Sequence, residues 1–206
     1  MNESIPSARE RILESARKLF LTQGFHGSNL RDIVADAQVS MGGLYHHFDS
    51  KLEIYEELLG STGLGQELPR MAAIYGSAEF PDNMASIGKA IFEMARTHQD
   101  DFRLIYLDLL EFQGQHVKPL VSPIRATLSQ ATRSLLAERV ERGEVAEIHP
   151  AVIARCVVGL FLYYFLEDTM LDMDPSSETG LSESEIADQM ADLLLRGLLR
   201  DQPDAG

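Results

Sequence analysis

Residues 28–51, SNLRDIVADAQVSMGGLYHHFDSK, decide how this chain is read. Leu30, Ile33, Val34 and Ala37 recur at the three- and four-residue spacing of one helix face, Val39 fills a turn, and Leu44, Tyr45 and Phe48 resume the spacing beyond it. The pattern is a helix, a tight turn and a second short helix that share one small core. The outward face of the second helix is left for a partner, and a helix presented in this way fits a DNA major groove. The spacing therefore predicts a DNA-binding regulator.

The flanking residues mark the helix ends. Ser7 with Glu10, and Ser50 with Glu53, have the capping-box spacing, in which hydroxyl and carboxylate satisfy N–H groups that a first helical turn leaves unpaired. Ser28 or Asn29 can cap the middle helix, with Asp32 favourable in its first turn. A first helix is expected from Ala8 to Gln23, stopped by Gly24, with Ile12, Leu13, Ala16, Leu19 and Phe20 as the stripe it buries. A fourth helix starts at Ser50, and the head is a compact three-helix unit.

Gly24-Phe25, Arg31-Asp32-Ile33, Val39-Ser40 and above all Gly42-Gly43-Leu44-Tyr45-His46-His47-Phe48 with Lys51 resemble the head of the tetracycline-repressor (TetR) family of transcriptional regulators. The resemblance covers residues 8–60, and beyond them the chain is similar only in being helical and of suitable length. It implies a head that binds a palindromic operator as a dimer and a helical body that binds a small molecule and releases the DNA. Two positions depart from the family pattern. Gln38 stands where the turn usually has Gly, so it is expected at positive φ. Gly43 stands where a hydrogen-bonding residue is common, which removes one contact.

With Met41, Gly42 and Gly43 in its first turn, the second helix carries few polar side chains. Ser40, Gly42 and Gly43 are therefore expected to bring backbone close to DNA and Met41 to meet a thymine methyl, while Arg31, Tyr45, His46 and Asn29 read sequence and Lys51 meets phosphate.

The net charge of −14 divides unevenly. Residues 1–51 hold six acids and six bases, so the remainder, with 26 acids against 12 bases, carries the whole excess. An acidic body confines DNA contact to the head, where Arg31, Lys51 and the bases of the first helix can meet phosphates. The apolar content of 45% suits a globular protein with ample core. No apolar run reads as long enough to span a bilayer, residues 1–6 form a short polar arm, and lone Cys156 reads as a small buried hydrophobe in a cytoplasmic protein.

Two domains are expected: 1–51 for DNA binding, and 52–206 for ligand binding and dimerisation. The body reads as amphipathic helices without repeats or strands, all-α, with about nine helices in the chain. Pro119 and Pro123 are expected to break it before a long helix over 124–142, and 174–184 to form a polar loop before a last helix capped by Ser182 and Glu185. The penultimate helix, over 150–171, is apolar nearly all round and must be covered on two sides. Gly159, Tyr163 and Leu166, with Met190, Leu194 and Gly197 of the last helix, are the expected homodimer interface.

Phe92, Phe102, Tyr106, Phe112 and Tyr164 are candidates to line an apolar effector pocket, with Arg125 or Arg103 available to an anionic group and Glu93 or Glu111 to a cationic one. The six histidines lack metal-ligand spacing, and no nucleophile elbow, phosphate loop or dinucleotide fingerprint occurs. No catalytic residue, metal or cofactor is expected. The leading reading is a ligand-responsive repressor with a small apolar or amphipathic effector and no membrane partner. A constitutive regulator whose body binds a protein or no ligand is the alternative, and a helical enzyme is the least favoured.

Overall fold

The chain folds into helices joined by turns and loops in a computed structural model that describes residues 6–171, 173 and 175–199. Only Pro6 of the expected N-terminal arm is among them. In order these are α1 (Ala8–Gln23), α2 (Leu30–Asp36), α3 (Met41–Tyr45), α4 (Lys51–Gly60), α5 (Leu64–Tyr75), α6 (Met84–Thr97), α7 (Gln99–Glu111), α8 (Lys118–Glu141), α9 (Pro150–Leu171), α10 (Pro175–Thr179) and α11 (Glu183–Leu198). Eleven helices among the described residues replace the nine expected, partly because the stretch read as a polar loop contains the five-residue α10.

The caps account for the boundaries in the head. Ser7 and Glu10 complete a reciprocal capping box on α1, and Gly24, at φ +77°, ends that helix in a conformation costly for a residue with a Cβ. Asn29 caps α2, since the Ser28 hydroxyl is instead buried and donates to the Phe25 carbonyl at 2.9 Å. Ser50 caps α4, but the Glu53 carboxylate reaches the N–H of Asp49 and not that of Ser50. Gln38 sits at φ +54°, as its place in the turn predicts.

The backbone divides into two compact units. The first comprises Met1–Gly63 and Asp100–Pro119, the second Leu64–Gln99 and Leu120–Gly206. The expected boundary after residue 51 does not coincide with this division, because α4 and α7 pack into the core of the head. In the first unit Ile12, Phe20, Ile33, Leu44, Phe48, Ile54 and Tyr55 are fully buried, and the Tyr55 hydroxyl donates to the Leu104 carbonyl of α7 at 3.0 Å. Burial, with the nearby charges of Asp108 and Glu111, pushes the Tyr55 phenol far above its ordinary range.

In the second unit α6 is central and packs against α5, α9 and α11. Met84, Ile87 and Ile91 of α6 are buried, as are Val157 and Phe161 of α9 and Ala187 of α11. A Cβ at Gly88 would lie 2.5 Å from the Phe161 ring, so α6 and α9 approach more closely than any side chain at that position would allow. Pro119 and Pro123 do not break the chain: both lie inside α8. Pro119 falls in the first turn, where an N–H has no intrahelical partner, and Pro123 forfeits one interior bond that a 24-residue helix tolerates.

Within α9, Pro150–Glu167 has the length and apolar composition of a membrane-crossing segment, which corrects the expectation that no run is long enough. A third of that stretch, 33%, is buried within the chain. Its inward face is Ile153, Ala154, Val157, Phe161, Phe165 and Leu166, and its outward face is Val152, Cys156, Gly159, Leu160 and Tyr163.

Candidate nucleic-acid interface

The surface formed by α2, α3 and the start of α4 is built from small, directional contacts. The Ser40 hydroxyl accepts from the Gly43 N–H at 3.0 Å, which starts α3 immediately after the turn. Leu44 and Phe48 point into the core, so Tyr45, 53% exposed, and exposed His46 point outward. A concavity of about 680 Å³ runs between the N-terminus of α2 and α3, lined by Ser28, Asn29, Leu30, Arg31, Asp32, Met41, Tyr45 and Lys51. It unites five expected DNA-contacting residues, while Ser40, Gly42, Gly43 and His46 lie along α3 and its caps.

Several of these side chains are already engaged. The Asn29 oxygen accepts from the N–H groups of Arg31 (2.9 Å) and Asp32 (3.0 Å), and its amide donates to the Asp32 carboxylate at 2.6 Å. Asn29 is thus first a cap, and the base reading expected of it competes with those bonds. The Lys51 ammonium donates to the carbonyls of Phe25 (2.5 Å) and Ser28 (2.7 Å), leaving one of its three N–H groups uncommitted. Burial lowers the Lys51 pKa, and the charge of Glu111 opposes that shift.

Three of the four first-helix bases are not the open phosphate contacts the sequence suggests. Arg9 pairs with Glu57, Arg17 with Asp101 at 2.6 Å, and Lys18 with Asp36 at 2.6 Å. The Lys18 hydrogen bond, with a smaller contribution from Ser15, holds the Asp36 carboxyl below its usual range. Among the described residues Arg31 forms no ion pair, and it is exposed beside the concavity. The positive charge this surface offers is therefore concentrated on Arg31 and the remaining N–H of Lys51.

The other expected sites distribute differently. Phe102, Tyr106 and Phe112 belong to the first unit, and Phe92 and Tyr164 to the second, so the five aromatics do not line one pocket within a unit. Phe112 packs on Phe25, Tyr55 and His116 with ring centroids 4.8, 5.4 and 4.7 Å apart, which makes it part of the head core. Phe92 is buried against Phe161 at 6.0 Å, and Arg125 is exposed on α8. Glu93 pairs with Arg70 at 2.5 Å, and Glu111 caps a turn of the head.

Of the residues expected at the homodimer interface, Gly159, Tyr163 and Gly197 are exposed and Met190 and Leu194 are half-buried. Leu166, only 2% exposed, faces the core of its own unit and not a partner, whereas Leu160, six residues before it, lies outside. Eighteen residues of near-uniform apolar character give no contrast from which to fix the rotation of the helix.

What the sequence did not disclose is the buttress behind the interface. Asp101 accepts from the Gly63 N–H at 2.8 Å as well as from Arg17. Buried Asp108 accepts from His116 Nδ1 (2.7 Å) and from the N–H groups of His116 (3.2 Å) and Val117 (3.0 Å). With Glu111, three carboxylates of α7 thus satisfy polar groups of the head unit. Asp101 and Glu111 lie far along the chain from their partners, and Asp108 serves the irregular loop that follows α7, so no motif encodes the spacing.

Residues 12–58 match a family model described as "Bacterial regulatory proteins, tetR family". UidR of Escherichia coli (strain K12), an HTH-type transcriptional regulator, is 36% identical over 162 residues, spanning 78% of this chain and 81% of its own. NalD of Pseudomonas aeruginosa, the secondary repressor of the MexAB-OprM multidrug efflux pump, shares the fold with a TM-score of 0.64 at 20% identity, over 95% of this chain and 97% of that one. AibR, solved in complex with isovaleryl coenzyme A and operator DNA, shares it with a TM-score of 0.61 at 17% identity, over 91% of this chain and 97% of that one.

Proposed function

The chain belongs to the tetR family of bacterial regulatory proteins, a family of DNA-binding transcriptional regulators, and from that premise we propose that it is a dimeric, cytoplasmic repressor released from its operator by a small molecule. The observation that carries the reading is the exposed α3, with Tyr45 and His46 outward beside a concavity that ends at Arg31 and Lys51. Selection from random duplexes is expected to yield an inverted repeat with half-sites about one helical turn, roughly 34–36 Å, apart. Selected sites without dyad symmetry would sink the dimeric reading.

Dimerisation is supported by the outward apolar face of α9 and α11. Tyr163 is 63% exposed and Leu193 66%, and Val152, Leu160 and Cys156 lie on the same surface. A hollow of about 210 Å³ there, lined by Met84, Ile148, Val152, Cys156, Leu193 and Leu194 among others, is smaller than the roughly 300–1,000 Å³ of ordinary ligand pockets and suits a side chain of a second copy better than an effector. Tyr163→Glu is expected to weaken the dimer by about ten-fold or more, read by sedimentation. A wild type that sediments as a monomer at micromolar concentration would refute this part.

The effector is proposed to be apolar or amphipathic and to act through differential affinity for two states of the protein. AibR was solved with an acyl coenzyme A and its operator, and a comparable pairing here is open to a thermal-shift screen followed by operator release. Stabilising ligands that never change operator affinity would leave the constitutive reading. A regulator of this kind needs no catalysis, and turnover of any screened ligand would count against it.

A further inference from the structure

The turn between α1 and α2 is gripped from two sides. On one side are the two Lys51 bonds to the carbonyls of Phe25 and Ser28, with the ammonium 4.3 Å from the centre of the Phe25 ring. On the other is Glu111, the last residue of α7, whose carboxylate accepts from the N–H groups of Phe25 (3.2 Å) and His26 (2.9 Å). The carboxylate also occupies the space a side chain at position 24 would need: a Cβ on Gly24 would lie 2.5 Å from Glu111 Oε1. The next residue, Phe112, packs edge-on against Phe25, and Asp108 fixes the loop that follows.

We propose that Glu111 is a positioning residue for DNA binding, supplied from far outside the helix-turn-helix. The turn it holds leads without a break into Ser28 and the cap residue Asn29, and these with Arg31 and Lys51 line the concavity beside α3. Fixing the N–H side of Phe25 and His26 fixes where the carbonyls of Phe25 and Ser28 stand, and so where the Lys51 ammonium is held. Glu111 itself touches no DNA. The chain enters the head unit at Asp100 and leaves it at Pro119, so the clamp is carried by a segment that is continuous at both ends with the second unit.

The inference rests on the reading of the head as a DNA binder, and charge gives it a test with opposite signs. An anion close to the phosphate-facing cation weakens DNA binding by Coulomb repulsion, so if charge alone mattered, Glu111→Gln would tighten binding to every duplex and steepen the salt dependence. As a positioning residue, Glu111 must do the reverse. Glu111→Gln keeps one acceptor for two donors and is expected to bind the selected operator about ten-fold more weakly, the size of one charge-assisted hydrogen bond, with affinity for a random duplex held. Glu111→Asp keeps the charge and shortens the reach by one methylene, and the same selective loss is expected.

Both variants are compared with wild type by fluorescence anisotropy on the selected operator and on random duplex across a salt series, with helicity checked by circular dichroism. Operator affinity equal to or above wild type in a folded variant overturns the proposal. So does an equal loss on operator and random duplex, or the unfolding of both variants, which would make Glu111 a stabiliser of the fold. A wild type that selects no sequence at all would instead overturn the DNA reading beneath it.

Discussion

The two compact units are held together by different kinds of force. In the first, an apolar core of modest size is surrounded by directional bonds: Tyr55 to Leu104, Lys51 to Phe25 and Ser28, and the α7 carboxylates to backbone N–H groups. In the second, the central contacts are apolar and close, with α6 pressed on α9 at Gly88 and Phe161 and the Phe92 ring edge-on to Phe161 beside them. Hydrogen bonds fix atoms to within tenths of an ångström, whereas apolar packing fixes volume. A surface that must present a few polar atoms to DNA gains from the first kind, and a surface proposed to meet a second copy through broad apolar contact can rely on the second.

That contrast is open to breakage by paired substitutions. Phe161→Ala removes a fully buried ring from the α6–α9 contact and is expected to cost about 3–5 kcal/mol, with Gly88 left facing a cavity. Asp108→Ala is expected to cost about 1–3 kcal/mol, because two backbone N–H groups and the His116 ring lose their acceptor. Urea unfolding followed by circular dichroism gives both values, and operator titration of the folded fraction gives the second half of the comparison. Phe161→Ala should leave operator affinity of the folded protein nearly unchanged, while Asp108→Ala should lower it. The reverse ranking in affinity would show that the polar bonds of the head serve stability alone.

How much of this was legible in the sequence follows the same division. The head could be read because its signals are local: Ser7 with Glu10, Asn29 with its own turn, Ser40 three residues before the N–H it accepts, and Gln38 at a turn position that needs positive φ. Glu111 and Asp108 could not be read, because their partners are either distant in sequence or in an irregular loop with no periodicity. Gly24 was the only trace of the former, and its positive φ alone explains it adequately. In the body, Leu166 was expected at the interface and is buried in its own unit, because an almost uniformly apolar helix leaves its rotation unspecified. The prolines misled for a related reason: the sequence shows where an N–H is missing, but whether a helix tolerates the loss depends on packing around it.

A smaller effect sharpens the account of α3. Gly42 has nothing nearer to its absent Cβ than the Ser40 Oγ at 3.9 Å, and it lies in helical conformation. Gly42→Ala should therefore stabilise the head, by about 0.5–1 kcal/mol, through helix propensity and a less flexible unfolded chain. If Gly42 serves close backbone approach to DNA, the same variant will bind operator more weakly despite being more stable. Stability and affinity rising together would mean that the backbone at α3 stays clear of the DNA and that the side chains of Tyr45 and His46 carry the contact.

The smallest expected effect is one the two units share. Each has a reciprocal capping box, Ser7 with Glu10 on α1 and Ser182 with Glu185 on α11, and both carboxyl groups are held below their ordinary range by hydrogen bonds from the serine. For Glu10 the backbone N–H of Ser7 contributes most, and for Glu185 the Ser182 hydroxyl does. A carboxyl whose folded pKa is depressed contributes stability that is fully present above its unfolded value, here about 4.5, and that is lost as pH falls through the lower folded value. Glu10→Gln and Glu185→Gln should therefore flatten the acid limb of the stability curve below about pH 4.5 and change little at neutral pH, where glutamine can still accept from the cap. Because both caps are fully exposed and identical in kind, the two variants should shift thermal unfolding in acid by similar small amounts. A much larger acid effect for Glu10→Gln would mean that the α1 cap is coupled to the hydrogen-bonded buttress of the head, and the difference between the units would then extend to their outermost turns.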